Sequence, residues 1–188
     1  PADGEQARVD RAFAAVSEHL TALRGGDGEV DAILGAVDVM LRDRALTRGI
    51  SRAVAAGAAS DAATRAQFAE LSGTFDRLTD PYLRERGQDV RALRDLVLRA
   101  LAGQPLARQL PEGPHVLVLP ELDAVTAVRL DPAATLGVVT TEGADAGHGA
   151  IICHHRGIPF VGGLAEAADL PDGLDVVLDT ERGTLTPA

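Results

Sequence analysis

The chain has 188 residues, of which 46% are hydrophobic, and a formal net charge of −10. This length and composition fit one globular domain or two small ones with a buried core. The charge is uneven, with a net charge of −1 over residues 1–111 and −9 over residues 112–188. An acidic surface of this kind argues against nucleic acid as a partner and permits a basic protein partner.

The sequence also argues against a membrane protein and against a disulfide-stabilised one. No apolar run reaches transmembrane length, and no basic-plus-apolar leader begins the chain. Cys153 is the single cysteine, so an internal disulfide is excluded and a reducing compartment is favoured. We therefore expect a cytoplasmic location.

The first hundred residues show helical periodicity, since apolar residues recur at steps of three and four. Further helices are predicted at about 30–41 and 46–56, then after a cap at Ser60 or Asp61, and from Pro81 after a cap at Asp80. The apolar stripe of the first helix is Val9, Phe13, Val16, Leu20 and Leu23, and that of the last is Leu83, Val90, Leu93, Leu96 and Val97. Short connections between these stretches favour an antiparallel bundle.

The periodicity changes after a proline-containing stretch. Prolines at 105, 111 and 114 indicate a linker over 105–114. Short strands are then predicted at 115–120, 136–140, 161, 176–179 and 184–186, with a short helix at 122–130. We predict an α+β chain with a helical bundle over 1–104 and a compact α/β domain over 115–188.

The most informative stretch is TTEGADAGHGAIICHHRGIPFVGG, residues 140–163. It predicts a strand end, a glycine-containing loop and a helix of about two turns that begins at His148 and ends at Gly157. Amides in the first turn of a helix lack intrahelical acceptors, so they could meet an anion on the His148 ring. The residues that could form such a phosphate-binding group are Gly147, Gly149 and Ala150. From the spacing alone, an ordinary strand–loop–helix turn with an incidental histidine explains the pattern equally well.

The residues after His148 carry a family resemblance. His148, Ala150, Ile151, Gly157, Ile158, Pro159, Val161 and Gly162 resemble the phosphohistidine signature of the phosphoenolpyruvate-utilising enzymes. Residues 82–103 are similar to the helix that closes the carrier-protein-binding bundle of one branch, enzyme I of the sugar phosphotransferase system. Residues 36–46 resemble the kinked helix pair of that bundle.

The resemblance implies roles for particular residues. His148 would accept and pass on a phosphoryl group, and the bundle would dock the histidine carrier protein HPr. The docking surface would include Val39, Met40, Leu46 and Ile50. The segment TAVRL, residues 126–130, resembles the T-A-x-L segment of enzyme I, whose threonine hydroxyl orients the active imidazole. Thr126 would therefore orient His148, and a threonine on a helix surface is the alternative interpretation.

The loop before His148 departs from the family. Enzyme I has G-G-R-T-S where this chain has Gly143, Ala144, Asp145, Ala146 and Gly147. Losing the arginine and gaining Asp145 reverses a charge near the predicted phosphoryl group, which should favour the imidazolium and disfavour an attached dianion. His154 lies six positions after His148 and does not share its helix face, so no metal site is predicted.

We expect a phosphoryl-relay domain, a phosphotransferase that carries phosphate on His148 and exchanges it with an HPr-like carrier. The alternative is a non-catalytic module that binds such a partner without phosphorylation. The family's barrel domain, which binds phosphoenolpyruvate and Mg²⁺, and its opening strand are not matched. The resemblance thus implies no cofactor in this chain and a place in a longer polypeptide. That polypeptide is expected to be enzyme I or the phosphotransfer subunit of dihydroxyacetone kinase, and the altered loop favours the second.

Overall fold

A computed structural model of the chain describes residues 2–107, 109–143 and 147–188, with the backbone alone at 81, 82 and 85. The chain divides into two compact units, residues 1–108 and 109–188. The first is helical and the second combines short helices with short strands, which confirms the predicted α+β class. The boundary between the units falls inside the predicted linker, 105–114.

Helices form the first unit. They are α1 (Ala2–Ala22), α2 (Gly28–Leu41), α3 (Arg44–Ala55), α4 (Ser60–Asp76) and α5 (Pro81–Leu101). The predicted stripes supply the core: Val16 and Leu20 of α1 are fully buried, as are Val90 and Val97 of α5. Leu83, in the first turn of α5, was predicted to join them but is 37% exposed. No helix in the described part of the chain is long and apolar enough to span a bilayer.

The start of α4 differs from the prediction. Neither Ser60 nor Asp61 caps it, since Ala59 occupies the N-cap position and provides no side-chain acceptor. Instead, the Ser60 amide donates a hydrogen bond of 2.7 Å to Oε2 of Glu5, on α1. The acceptor for this helix start therefore comes from a residue 55 positions earlier in the chain. By contrast, α3 is capped locally, because Asp43 accepts from the amides of Ala45 and Leu46.

The second unit is built on a parallel sheet. Its elements are β1 (His115–Leu119), α6 (Ala124–Val128), β2 (Thr135–Thr140), α7 (His148–His155), β3 (Phe160–Val161), β4 (Val176–Asp179) and β5 (Thr184–Pro187). The strands pair in the order β1-β2-β3, all parallel, while β4 and β5 form an antiparallel hairpin. A 3₁₀ turn over Ala165–Asp169 was not predicted. The short helices α6 and α7 are the crossovers that parallel neighbours require.

One core cluster of the second unit lies between the sheet and the hairpin. Val139 of β2 and Val161 of β3 form a buried cluster with Leu185 of β5, and Leu178 of β4 packs against it. Gly137 allows this contact, because a Cβ atom there would overlap the Leu178 side chain. The hairpin thereby covers the sheet, and the loops at the carboxyl ends of the strands are left to form a separate edge.

Candidate functional site

Three loops meet at the carboxyl edge of the parallel sheet. The amide of Thr141, just after β2, donates to the carbonyl of Leu119 at the end of β1 at 2.9 Å. The amide of Leu164, after β3, donates to the carbonyl of Thr140 at the same distance. Ligands of parallel α/β sheets bind outside the carboxyl ends of the strands. The edge that holds residues 120–123, 141–143 and 147 is therefore the candidate site.

His148 is the first residue of α7, as predicted, and is half-buried. Gly147 is the N-cap of α7. Because glycine has no side-chain acceptor, this position does not hydrogen-bond the amides of the first turn through a side chain. The first intrahelical bond runs from the amide of Ile151 to the carbonyl of Gly147 at 3.0 Å. Gly147, Gly149 and Ala150 are buried. His148 is thus more exposed than the residues on either side of it in the chain.

Thr126 lies in the first turn of α6 and is only 8% exposed, which rules out the interpretation as a helix-surface threonine. Its amide donates to Oδ1 of Asp123, the N-cap of α6, at 2.9 Å. Its hydroxyl donates to Oδ2 of the same carboxylate at 2.7 Å. Sequence reasoning did not identify Asp123, although an aspartate three positions before a helical threonine is a recognisable capping pattern.

The helices that carry Thr126 and His148 are in direct contact at their starts. Gly149 lies so close to Leu122 that a Cβ atom there would overlap the Leu122 carbonyl oxygen and come within 2.8 Å of the carbonyl carbon. Arg156, after α7, donates to the carbonyls of Ala127 and Val128 at the end of α6, at 3.2 and 2.6 Å. These contacts hold α6 and α7 together at both ends, with Thr126 and His148 each in a first turn.

Part of the predicted site cannot be placed. Asp145, whose charge we expect to disfavour a phosphoryl group on His148, lies within 144–146, outside the described residues. The flanking Gly143 has a φ of +81°, a left-handed conformation that suits glycine. Its carbonyl would lie 3.0 Å from a Cβ atom placed on Gly163, so the loops after β2 and β3 approach each other here.

The remaining histidines and the cysteine lie outside this arrangement. The ring of His154 is exposed and meets the ring of Phe160 edge-on, with centroids 6.3 Å apart. His115 lies between the carbonyl of Gly113, 2.8 Å from Nδ1, and the hydroxyl of Thr135, 3.3 Å from Nε2. Burial raises the pKa of the Cys153 thiol to about 12, so this residue is not a nucleophile at neutral pH.

The predicted docking residues fall into two groups. Val39 is 70% exposed and Met40 is half-buried, so both reach the surface of α2. Leu46 and Ile50 are 4% and 0% exposed. Both belong to the apolar face of α3 that packs into the bundle, so they offer little surface to a partner in this structure, and their docking role stays a prediction. Leu46 also lines a groove of about 550 Å³ between α3 and α4, together with Arg52, Gln67 and Glu70.

The two units match two family models. The model of the PEP-utilising enzyme, N-terminal, matches residues 1–86, and that of the PEP-utilising enzyme, mobile domain, matches residues 111–183. A phosphoenolpyruvate-protein phosphotransferase of Streptomyces coelicolor is 31% identical over an alignment of 188 positions that covers 98% of this chain and 33% of that protein. The chain thus spans about a third of the length of the curated relatives that it matches over nearly its whole length.

Two further similarities bear on the fold and the parent protein. The phosphoryl donor subunit DhaM of the PEP-dependent dihydroxyacetone kinase of Klebsiella michiganensis is 30% identical over 112 residues, or 60% of this chain and 24% of that protein. A solved structure, the N-terminal domain of Enzyme 1 - Nitrogen, superposes on this chain with a TM-score of 0.61 and is 28% identical in sequence. The superposition covers 99% of this chain and 79% of that structure's chain. The family predicted from the sequence is confirmed: the chain belongs to the phosphoenolpyruvate-utilising enzymes, with an enzyme I-type N-terminal region and mobile domain.

Proposed function

We propose that this chain is a phosphoryl-relay module of the phosphotransferase system, which carries phosphate on His148 and exchanges it with an HPr-like carrier. The observation that carries the proposal is the placement of His148. It is a half-buried histidine at the start of α7, at the carboxyl edge of a parallel sheet, beside a helix that presents the buried hydroxyl of Thr126. A helix start favours a negative group, because its unpaired amides and the aligned peptide dipoles both attract one.

The chemistry needs one ring nitrogen with a lone pair. That lone pair attacks the phosphorus of a phosphohistidine on the carrier, and an N–P bond forms at His148. The N–P bond on the carrier breaks, and its electron pair returns to the carrier's own ring nitrogen. The second nitrogen of His148 keeps its proton throughout, and we propose that the oxygen of Thr126 accepts a hydrogen bond from it. The amides of Gly149 and Ala150 are the proposed donors to the transferred group.

We propose that the carrier docks on the bundle around Val39 and Met40. Val39 is the most exposed of the large hydrophobic side chains in the described residues, and Met40 beside it is half-buried, so this turn of α2 offers apolar surface to a carrier. It adjoins Asp38, which is 8% exposed and accepts from Ser17 and Arg42. That polar network fixes this turn of α2 against α1 and would present Val39 on a rigid surface.

The extent of the similarities supports a proposal about the parent polypeptide. The match to the Streptomyces phosphotransferase covers both units, whereas the match to the dihydroxyacetone kinase subunit covers 60% of the chain. We therefore favour a parent of the enzyme I type. We propose that a barrel region of such a parent would use phosphoenolpyruvate and Mg²⁺. The residues described above would exchange the phosphoryl group with the carrier.

The test uses phosphorylated HPr and the purified chain. We expect acid-labile phosphate to appear on the chain, with loss of this label in His148→Ala. The matched control is His154→Ala, which removes an exposed histidine of the same helix and should be labelled as the wild type is. Normal labelling of His148→Ala would refute the site. Binding of HPr without any labelling would select the alternative function, a non-catalytic interaction module.

A further inference from the structure

Asp123 makes an unusual pair of contacts for a helix cap. An aspartate at the N-cap ordinarily accepts backbone amides, as Asp43 does at α3 with both its amide bonds on Oδ1. In Asp123, Oδ1 takes the amide of Thr126 and Oδ2 takes the hydroxyl of the same residue, at 2.9 and 2.7 Å. One carboxylate therefore fixes both the backbone and the side chain of Thr126.

The second contact decides what the Thr126 hydroxyl can do for a neighbour. A hydroxyl has a single proton to donate, and an ionised carboxylate can only accept. Because the proton of Thr126 is directed to Asp123, its oxygen can serve another partner only as an acceptor. Thr126 is 8% exposed, so water has little access with which to reverse this direction.

We propose that Asp123 is a positioning residue that sets the tautomer of His148 through the hydroxyl of Thr126, a role that rests on the proposed function of His148. The starts of α6 and α7 are in contact through Leu122 and Gly149, which brings the first turns that carry the two side chains together. An oxygen that only accepts selects the imidazole tautomer whose N–H points to Thr126. The other ring nitrogen then keeps its lone pair, as a nucleophile requires.

The same chain of hydrogen bonds assists the transfer itself. As one nitrogen bonds to phosphorus, positive charge develops on the ring and the remaining N–H becomes a stronger donor. The hydrogen bonds run from that N–H to the Thr126 oxygen and from the Thr126 hydroxyl to a carboxylate. The negative end of the chain opposes the developing positive charge, and hydrogen bonds in such a chain strengthen one another.

The decisive variant is Asp123→Asn. Asparagine is also a good N-cap, so α6 should remain folded. Its carbonyl can still accept the Thr126 amide, but its NH₂ group must then donate to the Thr126 oxygen. The hydroxyl is freed to donate to His148, which favours the opposite tautomer. We expect long-range ¹H–¹⁵N spectra of labelled histidine to show this change of tautomer. Phosphoryl transfer from phosphorylated HPr to His148 should slow about 10- to 100-fold, the size of effect seen when a partner that orients a histidine is lost.

Four further variants separate positioning from folding. Asp131→Asn changes an exposed aspartate of the same unit whose side chain accepts the amide of Ala133, and it should leave the tautomer and the rate unchanged. Thr126→Val should remove the tautomer preference, and Thr126→Ser should keep it. If Asp123 acts through Thr126, the double variant with Thr126→Val should be no slower than Thr126→Val alone.

The outcomes are distinct. A wild-type rate in Asp123→Asn, or a slower rate with an unchanged tautomer, would overturn the positioning role. If wild-type protein takes no label, the proposed function fails. In that case the tautomer of unphosphorylated His148, compared between the wild type and Asp123→Asn, would still show whether Asp123 sets the tautomer of the ring.

Discussion

The carboxylate of Glu5, near the start of α1, accepts a hydrogen bond of 2.7 Å from the backbone amide of Ser60, the first residue of α4. This contact lowers the pKa of Glu5 from 4.5 to about 2, chiefly through the Ser60 amide and with help from Arg8. A long-range contact thus replaces the local cap that α4 lacks.

The Glu5 contact gives the bundle a predictable pH dependence. Because the pKa is lowered in the folded state, the stabilisation is present above the unfolded value of 4.5 and disappears as the pH falls through about 2. Glu5→Gln should lower the melting temperature at pH 7, and the difference from wild type should shrink below pH 4.5. Thermal melts followed by circular dichroism would measure this. The control is Asp10→Asn, an exposed aspartate of the same helix that should change little.

The contact between α6 and α7 predicts that Gly149 cannot be enlarged. In Gly149→Ala the new methyl group would overlap the Leu122 carbonyl, a backbone group that cannot turn away. We expect a loss of about 1–3 kcal/mol in the free energy of unfolding, as for other overpacked sites. Slower labelling of His148 should accompany it. Hydrogen exchange of amides in α6 and α7 would report the loss.

Gly4→Ala is the control for the intrinsic helix preference of alanine. Nothing lies within 4 Å of a Cβ atom at Gly4, so this substitution in α1 should be neutral or slightly stabilising. Equal effects of the two substitutions would contradict the proposed close contact at Gly149.

The two groups of predicted docking residues should respond differently to truncation. Ile50→Ala removes a fully buried side chain and should lower the unfolding free energy by about 2–5 kcal/mol. Val39→Ala removes an exposed one, so stability should stay within about 0.5 kcal/mol while HPr binding weakens. Urea denaturation and calorimetric titration would separate these effects. Unchanged HPr affinity in Val39→Ala would remove this residue from the docking surface.

Cys153 should be protected from thiol reagents in the folded protein. Its pKa of about 12 reflects burial, which disfavours the thiolate, partly offset by the charge of Arg156. At pH 8 only about one thiol in ten thousand would be ionised, since each pH unit below the pKa reduces the thiolate tenfold. We expect Ellman's reagent to react only after unfolding in guanidinium. Rapid reaction of the native protein would show that this part of α7 opens readily.

Local patterns determined the elements and the position of the candidate nucleophile. The steps of three and four gave the bundle helices, and Gly157, with a φ of +69°, ended α7 as its position predicted. These features depend on residues close in the chain, because helix periodicity and end signals act over a few positions. The placement of His148 at the start of α7 was therefore predictable from the sequence alone.

Only the tertiary structure decided which side chains are accessible and which residues meet across the chain. Leu46 and Ile50 carry no mark that distinguishes a core-facing stripe from a docking face, since both are apolar at helical spacing. The approach of Gly149 to Leu122 joins residues 27 positions apart in the sequence. The cap that Glu5 provides for α4 likewise required the packed bundle, because burial and long-range contact depend on how the whole chain closes on itself.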